Sequence, residues 1–185
     1  MRKTAGPRLR SFANDQENPM SEIKIIDKAI PAMDPEEKIA IVNARLAQDE
    51  EGDRFNSILG LRLAEISEEG KDPKLTYKFV LDPIKMNLYG GLHGGLVCGE
   101  FDVAMGFAVF VYSGKKTSTA SLTVDFLRAG NGKHYIITVE LDHRGRRLFH
   151  ATSKLYDTDN DELCATSVGT FSVIEDNNWA KNYVK

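Results

Sequence analysis

Residues 87–112 have the sequence NLYGGLHGGLVCGEFDVAMGFAVFVY, in which a glycine-dense loop runs directly into a long apolar segment. A helix drawn through the apolar segment carries apolar side chains on every face, so the pattern predicts a buried helix. Two acids, Glu100 and Asp102, interrupt it. An isolated carboxylate in apolar surroundings is costly unless it is paired, neutralised or in contact with water. This cost is the first indication of a functional site.

The composition fits a single domain that does not depend on disulfides. A chain of 185 residues is long enough to bury a sizeable core. With 24 basic and 27 acidic residues, the net charge of -3 creates no global field that would favour nucleic acid or an anionic membrane. Both cysteines, Cys98 and Cys164, lie in apolar segments, which is typical of free buried thiols.

The apolar segment is not predicted to cross a membrane. Its length of about 17 residues is at the short limit for a bilayer, and it contains two acids.

Residues 1–33 are predicted to be a disordered leader. Four basic residues precede the first acid, Asp15, but no apolar region follows them, which excludes a secretory signal. Two readings of this segment stay open: an organelle-targeting sequence, or an upstream start whose ordinary beginning is Met20. The expected localisation is cytoplasmic.

A helix that flanks the main body is predicted over residues 34–52. Asp34 can cap the free amide groups, Pro35 suits the first turn, and Glu37 can complete a capping box. The apolar face that follows is formed by Ile39, Val42 and Leu46.

The remaining chain predicts strands on either side of the buried helix. Alternating apolar residues indicate one strand from Phe55 and another around Leu75. After the helix, four runs of about ten residues are separated by turn residues, and short turns between long strands predict antiparallel neighbours in a meander. These runs are residues 117–128, 133–143, 146–157 and 163–174.

The predicted fold class is α+β, with a curved antiparallel sheet of about six strands wrapped around one long central helix and a short helix in front. We assign a single domain to residues 34–174, with its core at 55–174, and a polar tail to residues 175–185.

The start of the buried helix is predicted to bind negative charge. Free amide groups and the helix dipole favour an anion there, and glycine lets a ligand approach the backbone closely. The loop lacks the lysine of a P-loop and the spacing of a dinucleotide-binding loop. The three histidines after the helix match no metal-ligand spacing; they are His134, His143 and His150.

The glycine-dense loop and the helix after it resemble those of a known family. The order of elements, the pattern Asn-x-x-Gly-x-x-His-Gly-Gly over residues 87–95, and an acid nine positions after the histidine are similar to the hotdog-fold acyl-CoA thioesterases. The similarity is greatest to the branch of phenylacetate-pathway thioesterases and thioesterase superfamily member 2, and it covers residues 56–174. The chain departs from the family at residues 127–130, where a proline is common after the strand.

The resemblance implies a set of catalytic residues. Asp102 matches the acid that acts as general base or nucleophile, and Gly94 matches the backbone donor to the thioester oxygen. Asn87 and His93 match loop residues that shape this site, and Thr119 matches a residue that holds the water. Glu100 lies about 200° around the helix from Asp102, so we expect it to be structural.

Three further residues are candidates for substrate binding. Gly90 and Gly95 belong to the glycine-dense loop and the helix start. Arg128 carries a guanidinium group that suits the phosphates of coenzyme A, although a solvated position in a turn explains it equally well.

The implied function is hydrolysis of an acyl-CoA thioester without a metal or redox cofactor, coenzyme A entering as part of the substrate. Two alternatives stay open: a non-catalytic acyl-CoA sensor, and a hydratase or dehydratase of acyl thioesters.

Helix geometry also bears on the oligomeric state. Gly94 and Asp102 are ~12 Å apart along a continuous helix, too far to act on one carbonyl, so a homodimer with shared sites is expected, or a dimer of such dimers. No nucleic acid or membrane partner is predicted.

Overall fold

The computed structural model describes residues 30–48, 55–69 and 72–174. Within them the helices are α1 (Pro35–Gln48), α2 (Phe55–Leu59) and α3 (Gly94–Ser113). Two 3₁₀ turns lie at Ile30–Ala32 and Pro83–Lys85. The strands are β1 (Arg62–Ser67), β2 (Lys74–Val80), β3 (Thr117–Phe126), β4 (His134–Arg144), β5 (Leu148–Asp157) and β6 (Glu162–Val173).

The six strands form one antiparallel sheet in the order β1-β2-β4-β5-β6-β3, and α3 packs against it. The apolar face of α3 is sealed from solvent at Phe101, Ala104 and Ala108. Alternate residues of β2 are buried with it, as expected for a strand with one face in the core. The predicted fold class is confirmed.

The position of β3 differs from the predicted meander. β3 pairs with β6, and β4 pairs with β2, so these two consecutive strands are separated in the sheet. The connection between them is a crossing loop: the Leu127 N–H bonds to the Cys164 carbonyl on β6, whereas the Lys133 carbonyl accepts the Leu81 N–H beyond β2. The turn residues at 129–132 mark this loop correctly, but they do not specify which strand pairs with which.

The strand predicted from Phe55 begins later. Phe55–Leu59 is a short helix, and β1 starts at Arg62. Phe55, Ile58 and Leu59 also have the spacing of one helical face, and Leu59 is fully buried. Gly60, with φ of +60°, allows the chain to leave the helix before the strand.

The predicted capping box of α1 is present. The Glu37 N–H donates to Asp34 Oδ1, and the Asp34 N–H donates to Glu37 Oε2, both at 2.9 Å. Further along, the Asn43 amide bonds to both backbone groups of Leu63 on the edge strand β1. The helix therefore covers one edge of the sheet.

The described structure begins before the predicted domain start at residue 34. Ile30–Ala32 forms a turn, Met33 is buried, and Pro31 packs against Gly114 at the end of α3. The rest of the predicted leader, the predicted end of α1 near Gly52 and the tail from 175 lie outside the described residues.

By length and composition alone, α3 could cross a bilayer. Half of its most apolar stretch is buried inside the domain, which is typical of the core helix of a folded domain.

Glu100 lies on the core side of α3 and is fully buried. Neither carboxyl oxygen has a hydrogen-bond partner within the described chain. Burial raises the pKa of this carboxyl well above its ordinary value of 4.5, against a smaller opposing effect of Lys85. Lys85 itself is buried and pairs with Asp82 at 3.2 Å. A protonated, neutral Glu100 avoids most of the cost of a buried charge.

With a glutamine at this position, the free energy of unfolding should rise relative to that of the wild type as the pH rises from 4.5. Because the folded-state pKa is raised, the stability contributed by protonated Glu100 is complete below pH 4.5 and is lost as pH rises through the folded-state pKa. The amide of the Glu100→Gln variant does not ionise, so this loss of stability with pH is absent from the variant. Between pH 4.5 and the folded-state pKa, we expect the unfolding free energy of Glu100→Gln to rise relative to that of the wild type by up to about 1.4 kcal/mol per pH unit, and the difference to be constant at higher pH.

Denaturant unfolding of both proteins between pH 4.5 and 8 measures this difference. Glu65→Gln, on the exposed surface of β1, is the matched control and should show a flat difference. A flat difference for Glu100→Gln as well would mean that Glu100 is ionised and paired in the folded state.

Candidate active site

The N-terminus of α3 presents an unused backbone donor. His93 is the N-cap residue, and its Nδ1 accepts the Gly95 N–H at 3.0 Å. The His93 carbonyl accepts the N–H groups of Leu96 and Val97. The Gly94 N–H finds no acceptor within residues 30–48, 55–69 and 72–174. Of the two glycine amides at the helix start, that of Gly94 is therefore the one available to an anionic ligand.

Asn87 holds the glycine-dense loop together. Its Oδ1 accepts the N–H groups of Tyr89 and Gly91, at 2.8 and 3.2 Å, and its Nδ2 donates to the Leu92 carbonyl at 3.2 Å. The backbone of Asn87 also bonds to Gly91 in this turn. Since the loop leads directly to His93, the amide fixes the path of the chain into the helix start.

Two neighbouring segments clamp the same loop. The Leu92 N–H bonds to the Gly130 carbonyl, and the His93 N–H bonds to the Lys85 carbonyl, both at 2.9 Å. Gly91 packs tightly, because an added Cβ would lie 3.0 Å from the Gly130 carbonyl oxygen and would push this backbone away by a few tenths of an ångström. The donor at Gly94 is thus supported by fixed backbone on both sides.

The crossing loop at 127–133 is itself held by a residue that the sequence did not indicate. Asp157 is fully buried at the end of β5, and its carboxylate accepts the Gly132 N–H at 2.7 Å. It also accepts both the backbone and the side-chain N–H of Asn160. An aspartate that ends a strand next to turn residues looks like an ordinary turn residue in sequence, so its anchoring role has no sequence signal.

A cavity of about 580 Å³ opens beside the helix start. Its lining includes Asn87, Gly94, Phe126 and Arg128. The Arg128 guanidinium lies at the exposed rim, with Nε 3.9 Å from Glu162. The other two candidates, Gly90 and Gly95, do not line this cavity. Gly90 provides a turn with φ of +83°, and the Gly95 N–H is bonded to His93.

Asp102 lies in a different groove, of about 260 Å³, on the side of α3 that faces β3 and β6. Its Oδ1 accepts the Thr119 hydroxyl at 2.5 Å. Thr119 stands on β3 at a β-bulge, where the strand shifts register against β6. The groove wall also contains Phe107, Phe110 and Phe171, which in sequence look like ordinary core positions.

The two cavities share no lining residue. Gly94 and Asp102 belong to one unbroken helix, so their backbones are separated by ~12 Å along its axis. The structure therefore brings Asn87, His93 and Gly94 together, and separately Asp102 and Thr119.

His134, His150 and Arg144 line neither of these two cavities. His134 pairs with Asp159, and His150 bonds to Thr170. Arg144 lies near Tyr112, at the opposite end of α3 from Gly94. In the described part of the chain, no group of three or more His, Cys, Asp and Glu side chains is arranged to hold a metal ion. A reaction without cofactors stays a prediction.

Comparison with known proteins identifies the architecture. The family model of the acyl-CoA thioesterase N-terminal domain matches residues 83–172, which include α3 and β3 to β6 but not β1 and β2. Among curated proteins, no sequence matches significantly.

Solved structures match over most of the described chain. Thioesterase superfamily member 2 of zebra fish aligns with a TM-score of 0.63 and 20% identity, covering 74% of this chain and 98% of that chain. The mouse protein of the same name aligns with a TM-score of 0.62 and 18% identity, covering 72% and 96%. A thioesterase of Haemophilus influenzae aligns with a TM-score of 0.60 and 22% identity, covering 74% and 90%.

The resemblance to the hotdog-fold thioesterases is confirmed. In the hotdog domain, α3 is the central helix and the sheet order places β3 at an edge. The glycine-dense loop and Asp102 both fall within the matched segment.

Proposed function

We propose that this protein hydrolyses acyl-CoA thioesters to a free acid and coenzyme A. The observation that carries the proposal is the pair of complementary features on α3: an unused N–H at its capped N-terminus and a carboxylate in a groove further along. Hydrolysis of a thioester needs a donor for the oxygen that becomes negative and a base or nucleophile at the carbonyl carbon. The family match and the names of the structural neighbours support this activity in general.

In the proposed reaction, the thioester oxygen accepts the Gly94 N–H. Either Asp102 takes a proton from the attacking water, or it attacks the carbonyl carbon and forms a mixed anhydride that water then hydrolyses. In both routes the C–S bond breaks and the acyl group leaves as a carboxylate. Of the two protons of the water, one ends on the sulfur of coenzyme A, which leaves as the thiol, and the other is released to solvent. Thr119 donates to one oxygen of Asp102, which orients the other toward the reacting carbonyl. His93 acts as the helix cap that keeps Gly94 in place.

We propose further that each site is built from two chains. Gly94 and Asp102 of one chain line separate cavities, and they are too far apart to meet at one carbonyl. β3, which carries Thr119, is an edge strand with large exposed apolar residues at its end: Phe126 is 55% and Leu127 50% exposed. A second copy related by a twofold axis would cover this edge and bring Gly94 of one chain beside Asp102 of the other.

A panel of acyl-CoA thioesters, with thiol release as the readout, tests the activity. Release of free coenzyme A with a matching yield of carboxylic acid supports hydrolysis. An acyl-CoA sensor would bind these compounds without releasing thiol. A hydratase would add water to the acyl chain of an enoyl-CoA and leave the thioester intact. This result would distinguish a hydratase from both a hydrolase and a sensor.

Asn87→Ala should lower kcat by about 100-fold and change KM much less. The substitution frees the loop that positions Gly94, and a misplaced donor weakens binding of the transition state more than of the substrate. Steady-state kinetics on the best substrate, with the melting temperature as a check of folding, measure this. A change confined to KM would make Asn87 a substrate-binding residue instead.

A further inference from the structure

Gly106 is a helix-interior glycine that no close contact within residues 30–48, 55–69 and 72–174 requires. It has helical backbone near the middle of α3. An added Cβ would meet Phe171 at 3.7 Å and Thr117 at 3.9 Å, which are ordinary contacts. Gly99 in the same helix differs, because a Cβ there would lie 2.6 Å from the ring of Phe55.

Glycine in a helix interior lowers stability relative to alanine, because a glycine loses more backbone conformational entropy on folding. At Gly99, close packing explains that cost. At Gly106 neither the packing within the described part of one chain nor the backbone conformation explains it. What lies over Gly106 is the groove that contains Asp102.

The groove runs along one stripe of α3. Asp102, Gly106 and Phe110 are each four residues apart, so the stripe extends ~12 Å from the carboxylate. Phe171 forms part of the opposite wall. At the far end, the guanidinium of Arg45 stacks 4.5 Å above the Phe110 ring.

We propose that this groove holds the acyl group of the substrate and that Gly106 sets the width of acyl group that can enter. This inference rests on the proposed function. Three phenylalanine rings line this groove and suit an apolar chain or an aryl group; its two cationic residues are Arg45, at the far end, and the exposed Lys116. The other cavity has apolar walls as well, but it also offers Arg128 and Asn131 to the polar coenzyme A moiety. The substrate class is therefore acyl-CoA with an apolar linear or aryl acyl group that ends within ~12 Å of the carbonyl.

The test compares kcat/KM for acetyl-, octanoyl-, benzoyl- and hexadecanoyl-CoA in the wild type, Gly106→Ala and Gly106→Leu. Octanoyl- and benzoyl-CoA should be better wild-type substrates than hexadecanoyl-CoA. Gly106→Leu should lower kcat/KM for octanoyl- and benzoyl-CoA by at least about 10-fold and leave acetyl-CoA nearly unchanged. Gly106→Ala should shift selectivity in the same direction by less while raising the melting temperature, and it keeps the test valid if the leucine variant does not fold.

Ala129→Leu is the matched control, because Ala129 lines the other cavity. It should lower kcat/KM for all four substrates by a similar factor, since the coenzyme A moiety is common to them. Equal losses for all substrates in the Gly106 variants, or a selectivity shift in Ala129→Leu instead, would place the acyl group elsewhere. If the wild type hydrolyses thioesters but the Gly106 variants show no shift in selectivity, only this inference is overturned. If the wild type hydrolyses no thioester, the proposed function is overturned as well.

Discussion

Asp102→Asn should abolish thiol release, with kcat falling by at least about 100-fold on the best substrate. The amide has the shape of the carboxylate, and its Oδ1 still accepts the hydroxyl of Thr119, so the groove should keep its form. It can neither take a proton from water nor attack the carbonyl carbon. The loss should therefore appear in kcat, while the melting temperature stays close to that of the wild type.

Asp142→Asn is the matched control. Asp142 is an exposed aspartate on the inner strand β4 that accepts the Thr152 hydroxyl, as Asp102 accepts that of Thr119, and it lines neither cavity. The same change of charge there should leave turnover intact. An Asp102→Asn protein that hydrolyses its best thioester at the wild-type rate would remove Asp102 from the chemistry. The base would then have to be sought elsewhere.

Local sequence signals identified most of the elements. The observed α3 is only a few residues longer than the predicted apolar helix. Apolar residues on every face predict a buried helix from the local sequence alone, without information about the neighbouring strands. The last four strands also lie close to their predicted limits, since glycine or asparagine marks each turn. The capping box at Asp34 is equally local.

The features that the sequence did not reveal depend on contacts between distant residues. Nothing within β3 specifies that it pairs with β6 rather than β4, because both pairings bury the same face. Phe171 looks like a core residue in sequence, and only the placement of β6 beside α3 makes it a groove wall.

The sequence did not indicate that His93 caps the helix, since the residues usually favoured at the N-cap are serine, threonine, aspartate and asparagine. The sequence could place Asp102 and Gly94 on one helix. It could not show that each lines its own cavity.

Because Gly94 and Asp102 line separate cavities, a pair of variants can test whether each site is shared between two chains. Gly94→Pro removes the unused N–H and little else. Proline is favoured at the first position of a helix, and the extended conformation of His93, with ψ of 122°, suits the residue before a proline. Loss of one oxyanion donor should lower kcat by about 100-fold to 1,000-fold. Gly94→Ala is the matched control, because it keeps the N–H and its Cβ would meet Phe126 at 3.4 Å, an ordinary contact.

Mixing the inactive Gly94→Pro and Asp102→Asn chains should restore activity. In a mixed dimer, one site combines Gly94 of the Asp102→Asn chain with Asp102 of the Gly94→Pro chain and is therefore intact, while the other site lacks both groups. Equal amounts of freely exchanging chains should recover about a quarter of the wild-type activity. Thiol release measured after subunit exchange, with exchange followed by mass spectrometry of differently tagged chains, gives the result. If exchange is complete and activity is absent, each site lies within one chain, and α3 would have to break between Gly95 and Asp102 during turnover.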